Sequence, residues 1–150
     1  MTFITRSLLR RAARMSCVVM LTACASAQPA TFLTTTSGPA RPFSPAVRVN
    51  GFLFLSGQLG TDSTGAVVPG GIQPETRQTL ENIRALVQRS GSSMDRVVKC
   101  TVFLADMREW AAMNEVYVTF FAPDKRPARS AMGASGLAFN ARVEIECIAT

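Results

Sequence analysis

The dipeptide Asn50-Gly51 restricts the fold of this chain more than any other sequence feature, because it stands between two short apolar runs. The runs cover residues 46–49 and 52–55. A two-residue turn of type I′ needs positive φ at both central positions, and asparagine followed by glycine meets that need best. The pattern therefore predicts a β-hairpin at this point of the chain.

A helix and a third strand are predicted after a turn-rich loop over residues 61–71. Pro74 is typical of a helix start and Gly91 of a helix end. Between them, apolar residues recur at helical spacing and form one stripe: Leu80, Ile83, Leu86 and Val87. The β-branched run 97–104 then predicts a strand.

Asp106 and Glu109 have the spacing of a capping pair, which predicts the start of a second helix. That helix is expected to end near Pro123 and to be followed by strands over 129–134 and 142–149. Its large apolar residues are expected to belong to the core: Trp110, Met113, Tyr117, Phe120 and Phe121. The resulting order ββ-α-β-α-ββ predicts an α+β fold with the helices on one face of a mixed sheet.

The composition divides the 150 residues into three parts. Residues 41–150 carry dense apolar patterns and suit one domain, while residues 24–40, rich in small residues and proline, are expected to be a flexible tether. Residues 1–23 have the composition of an export signal, since they contain no acid, a short apolar run and four arginines: Arg6, Arg10, Arg11 and Arg14. That run is shorter than the roughly 20 apolar residues that span a bilayer, so no permanent transmembrane helix is expected.

The end of this leader offers two cleavage sites. Leu21-Thr22-Ala23-Cys24 resembles the lipobox of bacterial lipoproteins, which makes Cys24 the expected lipid anchor and the only expected link to a membrane. Ala25-Ser26-Ala27 fits ordinary signal peptidase and would release a soluble secreted protein that starts at Gln28. An uncleaved start is the third possibility. Either export route predicts an exported protein, in the periplasm or as a lipoprotein of the cell envelope.

Most of the positive charge of the chain lies in this leader. The chain has 16 lysines and arginines and 10 acidic residues, a net charge of +6. Without the four leader arginines the net charge is +2, since 12 basic and 10 acidic residues remain. Such a domain gives no electrostatic reason to expect a nucleic acid as partner.

The chain contains no histidine, which excludes several mechanisms. A Ser-His-Asp or Cys-His pair lacks its base, and a histidine metal site or pH switch is excluded as well. Any catalysis must use carboxylates, arginine, hydroxyl groups, backbone groups or water.

Two cysteines, Cys100 and Cys147, fall in predicted strands of the domain. Their aliphatic neighbours favour two small buried hydrophobic side chains. A disulfide is the alternative, and it requires Cα atoms within about 7 Å of each other. Neither spacing suits a metal site, so no metal is expected.

Three features are candidates for chemistry. Arg129 begins an apolar strand, and its planar guanidinium fits a carboxylate through two parallel hydrogen bonds; a solvated arginine or a structural ion pair is the alternative. Glu144 and Glu146 share one face of the last strand, where a carboxylate can orient water or carry protons, although that face could also be a charged surface. Asn114 lies within the apolar stripe of the second helix, where a buried amide needs hydrogen-bond partners; capping or bridging a loop is the alternative.

Taken together and in order, these residues resemble the Rid family (YjgF/YER057c/UK114), the reactive-intermediate deaminases. The resemblance covers residues 38 to 149 and rests on seven collinear segments: 38–44, 54–58, 76–83, 98–107, 113–117, 127–130 and 143–149. It implies a chorismate-mutase-like fold and a homotrimer with a central barrel and ligand clefts between subunits. It also implies hydrolysis of enamines and imines, such as 2-aminoacrylate and 2-imino acids, to 2-keto acids and ammonia, with no metal or organic cofactor.

The resemblance also implies roles for single residues. Arg129 matches the arginine that binds the substrate carboxylate, and Glu144 matches the acid associated with the attacking water. Further pocket positions are Ser56, Gly57, Asn114 and Phe43. The family commonly has tyrosine at the position of Phe43 and often cysteine at that of Ala131, so this chain lacks one pocket hydroxyl. A non-catalytic carboxylate-binding or regulatory module on the same fold is the alternative function.

Overall fold

The computed structural model of the chain describes residues 29–34 and 41–150. These residues form two α-helices, α1 (Ile72–Arg89) and α2 (Trp110–Tyr117). They also form seven strands: β1 (Thr31–Phe32), β2 (Ala46–Val49), β3 (Phe52–Leu55), β4 (Gln58–Leu59), β5 (Val97–Leu104), β6 (Ala128–Gly133) and β7 (Val143–Ala149). The predicted α+β fold is confirmed.

The hairpin predicted at Asn50-Gly51 is confirmed as well. The φ angle is 48° at Asn50 and 82° at Gly51, so both turn residues are left-handed. The strands β2 and β3 on either side pair antiparallel, with Val49 opposite Phe52.

All seven strands belong to one mixed sheet with the order β1-β2-β3-β7-β5-β6, and β4 pairs with β7 beside β3. Strands β5 and β6 are parallel, because α2 lies in the connection between them, and the other pairs are antiparallel. Two strands were not predicted. β1 lies within residues 24–40, where a tether is expected, and β4 follows β3 after a break at Ser56 and Gly57.

Both helices pack on the same face of the sheet. Along β7 every second residue is buried against them: Val143, Ile145, Cys147 and Ala149. The predicted stripe of α1 is fully buried, and Met113, Val116 and Tyr117 complete the core from α2. The other face, called the open face below, carries Glu144, Glu146 and Ile148 of β7. It also exposes large apolar side chains, among them Phe52, Phe54 and Met132.

The predicted helix limits need two corrections. α1 begins at Ile72, so Pro74 lies inside its first turn, where its missing N–H costs no hydrogen bond. α2 is shorter than expected: after Tyr117 the chain continues as a 3₁₀ turn over Val118–Phe120. Before α2, a 3₁₀ turn over Met107–Glu109 is capped by the Asp106 carboxylate, which accepts from the Arg108 N–H at 2.9 Å. Glu109 pairs with Arg142 instead of completing a capping box.

Cys100 and Cys147 are joined by a disulfide, so the expected pair of free buried cysteines is not what the structure has. The two residues lie directly opposite each other in β5 and β7, with Cα atoms 4.1 Å apart. Both are buried, as expected. The bridge therefore ties β5 to β7 across their antiparallel pairing.

Within residues 29–34 and 41–150, none of the helices has the length and apolar character needed to cross a membrane.

Candidate functional site

Arg129 is held by α2 at the edge of the sheet. Its guanidinium donates a hydrogen bond from Nη1 to Oδ1 of Asn114, at 2.8 Å. Its Cζ also lies 4.5 Å from the ring centre of Tyr117 and 5.7 Å from that of Trp110. Aromatic faces attract a cation at such distances. These four residues are called the arginine cluster below.

The arginine cluster leaves most of the guanidinium available. Among the described residues, Asn114 is its one hydrogen-bond partner, and no carboxylate pairs with it. Burial raises the pKa of Tyr117 to about 12, against the opposing effect of Arg129, so the ring stays neutral. The cluster thus presents a cation whose remaining N–H groups suit a carboxylate.

Glu144 lines a cavity of about 570 Å³ next to the turn between β3 and β4. Phe43, Gly57, Leu59 and Phe139 are among the other lining residues. Three positions predicted to belong to the site, Phe43, Gly57 and Glu144, therefore meet here. This space is called the glutamate cavity below.

Gly57 allows the Glu144 carboxylate to lie directly on the backbone. A Cβ atom at position 57 would overlap Oε1 of Glu144. Burial raises the pKa of the Glu144 carboxyl above its usual value, and the charge of Glu146 raises it further. A carboxylate in such surroundings is a better proton acceptor than an exposed one.

The start of β7 is fixed by a buried acid that sequence reasoning missed. Oε1 of Glu75 accepts from the backbone N–H groups of Arg142 and Val143, at 2.6 and 3.1 Å. Glu75 is only 2% exposed. Since these N–H groups immediately precede Glu144, the contact sets the path of the backbone into the glutamate cavity.

The arginine cluster and the glutamate cavity lie on opposite faces of the sheet. Arg129 is in register with buried Cys100 and contacts α2, so its side chain lies on the helix face. Glu144 is in register with Phe103 and alternates with the buried residues of β7, so it lies on the open face. Arg129 is not among the residues that line the glutamate cavity. One chain therefore does not bring the two proposed catalytic side chains together.

The remaining predicted residues take separate positions. The Ser56 hydroxyl, beside Gly57, donates to the backbone oxygen of Ser44 at 2.7 Å. Glu146 points to the open face and lines a small cavity of about 170 Å³ with Lys99. Cys24 lies outside the described residues. The structure thus places Glu144 and Glu146 in different cavities of the open face, a difference that strand periodicity could not predict.

Three further residues belong to the site region. Trp110, expected in the core, is 39% exposed beside Arg129, and helical spacing alone did not reveal that. Phe139 lies in a loop without periodicity, so the sequence held no signal for it. The burial of Glu75 could have been predicted, because it lies four residues before Thr79 on the buried side of α1, but its contact with the start of β7 could not.

Comparison with known proteins gives similarity along the whole described domain. Residues 34–150 match the family model described as Endoribonuclease L-PSP. A RutC family protein of Pyrococcus horikoshii is 46% identical over 112 residues, which are 74% of this chain and 88% of that protein. The mouse 2-iminobutanoate/2-iminopropanoate deaminase is 42% identical over 120 residues, 78% of this chain and 88% of its own length. Reactive Intermediate Deaminase A, chloroplastic, of Arabidopsis thaliana is 38% identical and spans 99% of this chain and 81% of its own.

Solved structures agree with these matches. A protein of the conserved Rid family from Yersinia pestis superposes with a TM-score of 0.75 at 35% identity, covering 81% of this chain and 98% of that one. Escherichia coli TdcF with bound serine superposes with a TM-score of 0.71 at 32% identity, covering 80% and 98%.

The predictions of an export signal, of lipidation at Cys24 and of a periplasmic or secreted location are wrong in the light of these relatives. The Arabidopsis protein, whose match extends through the leader, is named chloroplastic. A Schizosaccharomyces pombe relative, 41% identical over 72% of this chain and 86% of its own, is named mitochondrial. An arginine-rich leader without acids is typical of organelle transit peptides as well as export signals, so the pattern did not discriminate between them.

Proposed function

The chain belongs to the Rid family, and we propose that it hydrolyses the C=N bond of 2-imino acids, and of enamines such as 2-aminoacrylate after tautomerisation, to 2-keto acids and ammonia. The mouse and Arabidopsis relatives are named as deaminases of this kind. The observation that carries the proposal is Arg129, a cation held beside the rings of Tyr117 and Trp110 with its remaining N–H groups available for a carboxylate.

In this proposal Arg129 binds the carboxylate of the substrate through two parallel hydrogen bonds. Asn114 accepts one guanidinium N–H and so fixes the plane of the fork. The clamp holds the imine carbon at one place, which makes the attack of water effectively unimolecular. Serine, the amino acid bound to the related TdcF, also carries a carboxylate.

Glu144 is the proposed proton carrier. Water adds through its oxygen to the imine carbon while Glu144 accepts a proton from that water. That proton passes to the nitrogen, which has taken the π electrons of the C=N bond, and a carbinolamine results. Glu144 then carries the hydroxyl proton of the carbinolamine to the nitrogen. The C=O bond forms as the C–N bond breaks, with its electron pair leaving on ammonia. A half-buried carboxylate with a raised pKa suits this exchange.

Because the two side chains lie on opposite faces of the sheet, we propose that each site combines Arg129 of one copy with Glu144 of the next, in a homotrimer. Two observations support assembly: β6, which carries Arg129, is an edge strand, and the open face exposes Phe52, Phe54 and Met132. Unpaired edges and exposed apolar patches are typical of interfaces.

The proposal is tested by generating an imine with an amino-acid oxidase and measuring how much the protein accelerates its conversion to keto acid and ammonia. Arg129→Ala should lower the acceleration about 100-fold, since a charge-assisted fork contributes about 3 kcal/mol. Arg129→Lys should fall between the two, because it keeps the charge and loses the fork. Arg126→Ala, which removes an exposed arginine three residues away, is the matched control.

Acceleration by Arg129→Ala equal to that of the wild type would overturn the mechanism. If the wild type does not accelerate hydrolysis but is stabilised thermally by a 2-keto acid, the protein is a carboxylate-binding module instead.

A mixing experiment tests the shared site. Arg129→Ala and Glu144→Gln chains alone should each retain little activity. A refolded equal mixture should regain about a quarter of the wild-type activity, because one interface in four then pairs two intact residues. Light scattering on the mixture should give three chains per particle. Failure of the mixture to regain activity, with trimers present, would contradict a site shared between copies.

A further inference from the structure

Two exposed aromatic rings line the glutamate cavity. Phe43 is 50% exposed and Phe139 is 75% exposed. Leu59 and Ala138 extend the apolar part of the wall. The polar part of the wall is formed by Glu144, Arg41, Gln58 and Thr61. Exposed rings contribute little to folding, so their presence beside the proposed proton carrier needs another explanation.

The backbone at Phe139 is strained. Phe139 has φ 57° and Asn140 has φ 56°, two consecutive left-handed residues that are not glycine. A bulky residue is rarely found in this conformation, and such strain persists mainly at functional sites. The N–H of Ala141 donates to Ala138 at 3.1 Å, and Ala141 is buried, which fixes the end of the strained turn. The strained turn thus carries an aromatic ring in the wall of the cavity.

The cavity is larger than the smallest substrates require. The imine of alanine has six non-hydrogen atoms, each needing less than a water's share of about 30 Å³. It therefore fills less than about a third of a cavity of about 570 Å³. The remaining space adjoins the two rings.

We propose that Phe43 and Phe139 bind the side chain of the substrate, and that this protein favours 2-imino acids with bulky apolar side chains. This inference rests on the proposed imine hydrolysis. The reacting carbon lies near Glu144, and the side chain extends away from the carboxylate between the rings. Apolar contact with the two rings stabilises a bulky apolar side chain. A polar side chain of the same size placed against the rings loses its water and finds no hydrogen-bond partner in them.

The test compares the imines of alanine, leucine and asparagine, since asparagine matches leucine in size and differs in polarity. Each buried methylene contributes roughly a fourfold gain, so kcat/KM for the leucine imine should exceed both others at least tenfold. Phe139→Asn removes the ring but tolerates the left-handed backbone, and Phe43→Ala removes the other ring. Either should reduce the preference for leucine over alanine by about tenfold. Phe32→Ala is the control, because it removes a ring outside the cavity whose exposure, 64%, lies between those of Phe43 and Phe139.

The outcomes are distinct. No acceleration with any of the three imines overturns the proposed function and this inference with it. Equal acceleration of all three, or a preference that survives both substitutions, overturns this inference alone. If light scattering shows that Phe139→Asn dissociates the protein, the rings cover a contact between copies and the inference also fails.

Discussion

The arginine cluster and the glutamate cavity are built in different ways. Arg129 lies on a strand and is held by three side chains of one helix. Glu144 also lies on a strand, but the space around it is formed by loop residues: Gly57, which has no side chain to displace the carboxylate, and the strained turn at Phe139. We therefore expect the cluster to determine binding of the invariant carboxylate, and the cavity to determine proton transfer and substrate choice.

Gly57→Ala should have the largest effect, because the new Cβ would overlap the Glu144 carboxylate and displace it. A misplaced general base costs about 100-fold in kcat, while KM should change little if Arg129 alone binds the carboxylate. Gly136→Ala is the matched control, since a Cβ there meets no atom within 4 Å. A rise in KM as large as the fall in kcat would contradict the different roles expected for the arginine cluster and the glutamate cavity.

Glu75→Ala should reduce the free energy of unfolding by about 2–4 kcal/mol, because two backbone N–H groups, one buried and one partly buried, lose their acceptor. Glu75→Gln keeps an oxygen for those groups and should lose less than about half as much. Denaturant unfolding measures both, and imine hydrolysis should fall in the same order. If Glu75→Ala leaves activity intact despite its instability, the start of β7 does not position Glu144.

Asn114→Asp tests the arginine cluster. A carboxylate at this position would form an ion pair with Arg129 and compete with the substrate for the guanidinium, so KM should rise about tenfold. Asn114→Ala adds no charge and should raise KM less. Steady-state kinetics distinguish this rise in KM from a fall in kcat, which is the effect expected of substitutions at the glutamate cavity.

The fold was largely readable from local patterns, because hairpin, helix stripe and strand alternation each follow from nearby residues. Arg129 and Asn114 were predicted separately, and their hydrogen bond follows from α2 packing beside β6. The glutamate cavity was less accessible, since Phe139 depends on backbone angles in a loop and Glu75 on a contact 67 residues away. The resemblance to a family assigned Glu144, but only the structure shows that it lies on the face opposite Arg129.

Glu146→Gln should have the smallest effect, and it concerns pH rather than rate. The pKa of the Glu144 carboxyl is raised first by burial and second by the negative charge of Glu146. A general base works only when ionised, so kcat should decline as pH falls through this raised pKa. Removing the Glu146 charge lowers the pKa of Glu144, and the acidic limb of the kcat profile should move to lower pH. Glu146→Asp keeps the charge and should leave the limb in place, whereas a shift to higher pH in Glu146→Gln would show that Glu144 is not the titrating group.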